Sequence, residues 1–431
     1  MRIYAAAISA VAPKRILARA MEGARPDTAP VQALLSAAEA VRLLAVGKAA
    51  FGMALETQAR LATKLLEALV IIPHVQSQAG MPMAGMRIVT SAHPLPDASS
   101  EAAGRAALEF VARTRPGELL LVALNGGASA LMAVAADGMT LADKVVITSA
   151  LLRSGASIRE LNTVRKHLSA IKGGLLLRAA PPGVRMLSLI LSDVPGNDLG
   201  TIGSGPFAAD ATTYADAVAV LKRRGLWGRA AETIRAHLER GAAGEIQETV
   251  KRGDPELDRA TNIVIADNAT AIDAAADTAA GLGYQVERAR ELSGEANDVG
   301  CAMAMRLSSI DRAGVCVVAG GEPVVTVRGS GKGGRAQQCA LAMALELDRV
   351  GSERRLVALF AGTDGVDGPT EAAGAIITPA TVRRAKETGV DARSALERND
   401  AYNLFSGLGD LIITGPTGTN VADIFIGITN Y

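Results

Sequence analysis

Aromatic side chains are scarce in this 431-residue chain, which has six Phe, five Tyr and one Trp. Proteins that read single-stranded nucleic acid stack bases on aromatic platforms, so this shortage argues against that class. An excess of either charge is also missing: 45 Lys and Arg face 44 Asp and Glu, for a net charge of +1. No global field draws a polyanion or an anionic membrane surface, so neither nucleic acid nor membrane is expected as a partner, and any anion site must be local. Cysteine is limited to Cys301, Cys316 and Cys339, an odd number without CxxC spacing, each within an apolar pattern. They read as small core residues. The histidines, His74, His93, His167 and His237, are too scattered for zinc-ligand spacing, and no GxSxG elbow accompanies them. His93, in the Pro-rich SAHPLPDASS, is read as structural, with Asp97 and Ser100 capping the helix that follows. No apolar run approaches a membrane span, and the early patch in MRIYAAAISAVAPKRILARAMEG is broken by Lys14 and Arg15, so a cytoplasmic location is expected.

What is present is a core-forming composition, 49% hydrophobic and 21% charged. The length exceeds the roughly 250–300 residues at which a single core stops growing, which implies two domains. Strand-like runs alternate with helical stretches, the pattern of βα units and a mainly parallel sheet. The first set is RLLAV (42–46), LVII (69–72), RIVT (87–90), LLLVAL (119–124) and MLSLIL (186–191), with a helix expected from Lys48 to about Leu69. The polar, Gly-bearing segment 241–260, interrupted by Pro255, gives a boundary between domains 1–240 and 241–431. A second set follows: NIVIAD (262–267), YQVERA (284–289), VCVVAG (315–320), VVTVRG (324–329), LVALFAG (356–362) and LIITG (411–415). Only a short turn separates VCVVAG from VVTVRG, so that pair is expected to be antiparallel and the second sheet mixed.

Ligands of open α/β sheets gather at the carboxyl ends of strands. Lys48 stands there, directly after a strand in AVGKAAFG. In ALNGGASALM, Gly126 and Gly127 would let a phosphate approach the backbone and Ser129 would add a hydroxyl. In LSDVPGNDLGTIGSGP, Ser192 and Asp193 end a strand before a loop through Gly203, Ser204 and Gly205. Asp193 is the candidate metal ligand or base, with Asp198 as a second carboxylate. In VRGSGKGGRAQQ, Gly329, Gly331 and Gly334 satisfy GxGxxG, but the loop follows an expected antiparallel pair and lacks the acidic ribose ligand after the next strand. Arg335 at the following helix start reads instead as a phosphate clamp. TDGVDG, with Asp364 and Asp367, and TGPTGTNVAD, with Asp423, complete the loops. Neither Lys48 nor Lys332 is followed by Ser or Thr, so there is no Walker A motif.

HPLPDASS, NGGASALM, LNTVRKHLSAIKGG, LSDVPGNDLGTIGSGP, GGEP, GKGGRAQQ, AGTDGVDGPTEAAGA and GDLIITGPTGTNVADI occur here in an order that resembles the glycerate 2-kinase family, whose C-terminal part is called the MOFRL domain. The resemblance spans nearly the whole chain. It implies an α/β fold: a Rossmann-like, mainly parallel three-layer N-terminal domain and a smaller mixed-sheet C-terminal domain, with the active site in the cleft between them. It also implies transfer of the γ-phosphoryl of ATP to the 2-hydroxyl of D-glycerate, with Mg²⁺. The family's catalytic cations fall on Lys48 and Arg335. Asp193 would serve as catalytic carboxylate and Mg²⁺ ligand; Gly126, Gly127, Ser129, Ser192, Gly203, Ser204 and Gly205 would line the nucleotide phosphates. The partners implied are the small molecules D-glycerate and ATP, and a homo-oligomer stays open. The chain departs from the family letters at Asn125, Ala128, Asn197, Ala336 and Gln338, which weakens a metal role at 197 and 338 and leaves room for a changed substrate. Two alternatives are a hydroxypyruvate reductase and a non-catalytic binder of a small phosphorylated metabolite.

Overall fold

The computed structural model describes residues 1–23, 25–76, 85–351 and 355–429, which form two compact units. One comprises Ile16–Ile265; the other joins Met1–Arg15 to Ala266–Tyr431.

The unit Ile16–Ile265 is built on six strands: β1 Ala40–Val46, β2 Leu65–Pro73, β3 Met86–Ser91, β4 Glu118–Asn125, β5 Arg185–Leu191 and β6 Ala260–Ala266. Their order is β3-β2-β1-β4-β5-β6, and the four ladders from β3 to β5 are parallel. This is the strand order of a doubly wound dinucleotide-type sheet. Leu43, Leu44, Ala45 and Val46 of β1 and Leu119–Leu124 of β4 are buried, as parallel strands covered on both faces require. Burial of each Val or Leu contributes about 1.5–3 kcal/mol. β1 to β5 thus realise the first five expected strands.

Two expectations are corrected here. The helix after β1 runs only over Ala50–Leu61, because Ala62 turns to φ 45° and Leu65 already begins β2. The run 262–267 does not open a second sheet; it supplies β6 to the first. The polar segment before it packs back on its own unit instead of acting as a linker: Glu248 bonds His167 Nε2 at 3.2 Å, and Arg178 pairs with Glu256 at 2.8 Å. The structural division therefore falls after Ile265, not at 240/241, and residues 1–15 belong with the C-terminal unit.

That second unit has a mixed sheet of β7 Gln285–Arg288, β8 Val315–Gly321, β9 Leu356–Gly362, β10 Gly374–Ile377, β11 Leu411–Ile412 and β12 Asp423–Thr429, in the order β11-β10-β9-β12-β8-β7. β7 is parallel to β8, and the other ladders are antiparallel. The N-terminal segment is tied in by Tyr4 Oη donating to Gly362 O (2.6 Å) and by Thr419 Oγ1 donating to Val11 O (2.7 Å).

The sheet is mixed for a different reason than expected. Residues 324–329 are not a strand: Val324 and Val327 are 54% and 72% exposed, and the amides of Arg328 and Gly329 donate to Asn399 Oδ1. The antiparallel partner of β8 is β12, which begins at Asp423, the last residue of the TGPTGTNVAD loop.

Candidate phosphate-binding site

In the doubly wound sheet the strand order reverses between β1 and β4, and the loops leaving these two strands are stitched together. Lys48 N donates to Gly126 O (3.0 Å), and Ala49 N donates to Asn125 Oδ1 (2.8 Å). Gly47 makes this approach possible: its φ is 128°, and a Cβ there would lie 2.0 Å from Asn125 Oδ1. The departure to Asn at 125 therefore has a structural use. Half-buried Lys48 is fixed at its backbone beside Gly126 and Gly127, and the His93 ring approaches Gly127, within 3.1 Å of where a Cβ would sit. Asp97 caps the helix Ala98–Ala112 as expected, accepting from Ser99 N and Ser100 N while Ser100 Oγ accepts from Asp97 N.

Ser129 has a different role from the one expected. Its Oγ takes hydrogen bonds from Arg165 Nη2 (2.6 Å) and Lys172 Nζ (2.8 Å) and lies 2.8 Å from Ser204 Oγ. A hydroxyl offers two lone pairs and one proton, so Ser129 is saturated as a hub between cations and has nothing left for a phosphate.

The loop at 203–205 is a run of left-handed residues, Gly203, Ser204 and Gly205, at φ 59°, 64° and 62°. The amides of Ser204 and Gly205 donate to Thr201 O and Ile202 O, so neither cradles a phosphate; the loop presents Ser204 to Ser129. Ser192 is buried, and its Oγ accepts from Val194 N (3.2 Å), a turn-closing role rather than a phosphate contact. Asp193 follows β5 and is half-buried. Asn197 has φ 56°, a conformation Asn tolerates, which gives the departure from Asp a local reason.

The site thus brings Lys48, Gly126, Gly127, Ser129 and Ser204 together in one unit, along with residues the sequence reading missed. Arg165 and Lys172 lie in LNTVRKHLSAIKGG, one of the motifs that carry the family resemblance. Lys144 was not singled out. Two capping boxes position the helices that carry Lys144 and Arg165: Thr140 with Asp143 starts Leu141–Arg153, and Ser157 with Glu160 starts Ile158–His167, while Lys172 stands in the turn after the second helix. These boxes were legible; the convergence of the cations was not. No group of three or more His, Cys, Asp or Glu side chains suited to hold a metal occurs among the described residues.

In the unit containing residues 266–431, Arg335 opens the helix Arg335–Arg349 and is clamped by two carboxylates. Its Nε and Nη2 donate to Asp423 at 2.6 and 3.2 Å, and its Nη1 donates to Glu322 at 2.6 Å. Burial opposes the guanidinium charge, but Asp423 and Glu322 outweigh it and hold Arg335 firmly protonated. The start of that helix is already occupied by a protein carboxylate. Asp367 Oδ1 accepts from Ala336 N (3.0 Å) and Oδ2 from Gln337 N (2.8 Å). Burial and the neighbouring Asp423 raise Asp367 to about 7. The loop glycines serve close packing: a Cβ at Gly329 would meet Arg398 O at 2.3 Å, and one at Gly331 the Asp400 side chain at 2.5 Å. Gly329–Gly334 is therefore a packed loop that ends in a carboxylate-capped helix, not an open phosphate cradle.

Fold and switch-point loops together define a doubly wound α/β protein with a cationic site at the carboxyl ends of its strands. A family profile described as a domain of unknown function (DUF4147) matches residues 1–239, and one described as the MOFRL family matches 315–423. A glycerate 2-kinase of Pyrococcus horikoshii is 36% identical over 396 residues, 90% of this chain and 87% of that protein. A D-glycerate 2-kinase of Thermotoga maritima is 35% identical over 421 residues, 96% of each. A protein of Agrobacterium vitis provisionally named as hydroxypyruvate reductase is 38% identical over 391 residues, 89% of this chain and 85% of its own. The crystal structure of a Thermotoga maritima glycerate kinase aligns with TM-score 0.83 at 35% identity, covering 99% of this chain and 98% of the other. The chain belongs to the glycerate 2-kinase family.

Proposed function

We propose that this protein is an ATP-dependent glycerate 2-kinase that transfers the γ-phosphoryl of ATP to the 2-hydroxyl of D-glycerate, giving 2-phospho-D-glycerate and ADP. The observation that carries the reading is the lysine-bearing switch point of the parallel sheet, in a chain that matches glycerate 2-kinases over most of its length.

Phosphoryl transfer depends on positioning and charge neutralisation more than on covalent chemistry. The 2-hydroxyl oxygen forms the new bond to phosphorus as the bond to the ADP oxygen breaks, and the hydroxyl proton leaves to solvent or a carboxylate. In this reading Lys48 neutralises phosphoryl oxygens while Gly126 and Gly127 allow close backbone approach. Arg335 is assigned as the second catalytic cation, held ready by Asp423 and Glu322. Mg²⁺ bound by nucleotide phosphates needs only one or two protein carboxylates, and Asp193 beside the 194–206 loop fits that requirement. When bound, the ion would supply charge neutralisation at the phosphates.

The reductase name of one relative raises a second reading. Against it stands the occupied helix start after the GxGxxG letters, where the Asp367 carboxylate takes the amides a dinucleotide pyrophosphate would need. Incubation with ATP, Mg²⁺ and D-glycerate, followed by phosphorus NMR, is expected to show ADP and a phosphomonoester on C2. NADH consumption with hydroxypyruvate and no ADP would overturn the proposal, and ADP release indifferent to D-glycerate would also count against it.

A further inference from the structure

Among the described residues, three cations in the unit Ile16–Ile265 have no carboxylate partner. Lys144, 4% exposed, has a buried ammonium with no hydrogen-bond partner. Arg165, in the last turn of its helix, and Lys172, 1% exposed, both direct their charge at Ser129, and Lys172 also donates to Ser129 O at 2.8 Å. The groups acting on Lys144 and Lys172 are other cations, Arg165 on both, with Lys144 and Lys166 also acting on Lys172. Among the described residues no carboxylate pairs with any of the three. The contrast is local: the adjacent Lys166 has Asp210 at 3.2 Å.

Burying one unpaired ammonium is costly, and gathering three like charges costs more. Burial depresses the affinity of Lys144 and Lys172 for their protons, with the neighbouring cations adding to the effect. This is the electrostatic condition of a site whose counter-charge arrives with a ligand. A phosphate group fits it better than a carboxylate, because it carries up to two negative charges and enough acceptor oxygens for two ammonium groups and a guanidinium fork. Ser129 lies three residues beyond Gly126, to which Lys48 is stitched, so the cluster borders the switch point.

We infer that Lys144, Arg165 and Lys172 form a binding site for a phosphate group, with Ser129 as the positioning residue that holds Arg165 and Lys172. The inference deepens the kinase reading and rests on it. The phosphate comes from the nucleotide or from the phosphorylated hydroxy acid.

Lys144→Met is the informative variant, because it removes a charge that makes no hydrogen bond and keeps a side chain of similar length. Inorganic phosphate is titrated into wild type and variant by calorimetry, and the melting temperature is recorded with and without it. Wild type is expected to bind phosphate saturably and melt higher in its presence. The variant should bind at least tenfold more weakly, yet melt no lower than wild type without phosphate; a purely structural ammonium would give the opposite. Equal phosphate affinity in the two proteins overturns the site, as does a lower melting temperature of the variant without phosphate at unchanged affinity.

Arg165→Met should weaken phosphate in the same way. Titrations with a non-hydrolysable ATP analogue and with 2-phosphoglycerate assign the source, since the ligand weakened by Lys144→Met is the one whose phosphate sits there. If only D-glycerate binding is weakened, the site takes a carboxylate and the inference is overturned. Variant-sensitive phosphate binding in a protein that makes no ADP from D-glycerate and ATP would sink the kinase reading alone.

Discussion

The side-chain oxygen of Asn125 accepts the amide of Ala49 at 2.8 Å, in space that a side chain on Gly47 would fill. One hydrogen bond thus joins the ends of β1 and β4, the two strands between which the sheet reverses its order, and fixes the backbone that carries Lys48. Removing Asn125 as an alanine strands a buried amide, which costs about 1–3 kcal/mol. Gly47→Ala imposes a clash and a strained φ, and should cost at least as much, on the order of 2–4 kcal/mol. Chemical denaturation measures both, and stability within about 0.5 kcal/mol of wild type in either would contradict this account.

Lys48→Ala and Arg335→Ala are each expected to lower kcat by about a hundredfold or more, the scale of losing one electrostatic donor. Arg335→Ala should also lower stability. Arg335→Ala leaves buried Asp423 without its partner, and breaking such a pair typically costs about 3–5 kcal/mol. Steady-state kinetics well below the unfolding temperature, with thermal melts alongside, separates the two effects. Near-normal turnover in a folded variant would remove that cation from the mechanism.

Asp367 should make the protein less stable as pH rises. Its folded value of about 7 lies above the 3.8 of an ordinary Asp, so between those values the folded chain binds the extra proton. Stability contributed by that proton is fully present below about pH 3.8 and is lost as pH climbs through about 7. Asp367→Asn should flatten the melting temperature across pH 4–7 relative to wild type. An unchanged slope would show that Asp367 titrates normally.

Gln338→Glu restores the letter usual in the family but is expected to destabilise this chain. Gln338 is buried, and its Nε2 donates to Asn297 Oδ1 (3.1 Å) and to Leu396 O (3.0 Å). An ionised carboxylate would face two acceptors with no proton to give, a loss of about 1–3 kcal/mol. A melt unchanged from wild type would mean that the pocket of acceptors rearranges.

All six strands of the doubly wound sheet are legible as short apolar runs, visible without knowing their neighbours, but the sheet to which β6 belongs is not. β12 escaped because DIFIGIT follows a polar Gly-rich loop directly, and its place between β8 and β9 is a matter of pairing partners far away in the chain. The run 324–329 has a strand's alternation, yet only Val324 makes a single bridge to the backbone at 294–296, and the amides of Thr326, Arg328 and Gly329 go to the Glu295 and Asn399 side chains.

The sequence by itself determined the alternating α/β character, the Gly-bearing loops after β1 and β4, and the family to which the chain belongs, because periodicity, glycine placement and motif order are properties of the chain as written. Tertiary structure alone decided that Ser129 is a hub between cations, that Asp367 accepts the amides of Ala336 and Gln337 at the start of the helix opened by Arg335, and that buried Lys144 and Lys172 and half-buried Arg165 have no carboxylate partner among the described residues. Hydrogen-bond saturation and charge compensation depend on which distant groups share a low-dielectric space, and that is fixed only when the chain folds.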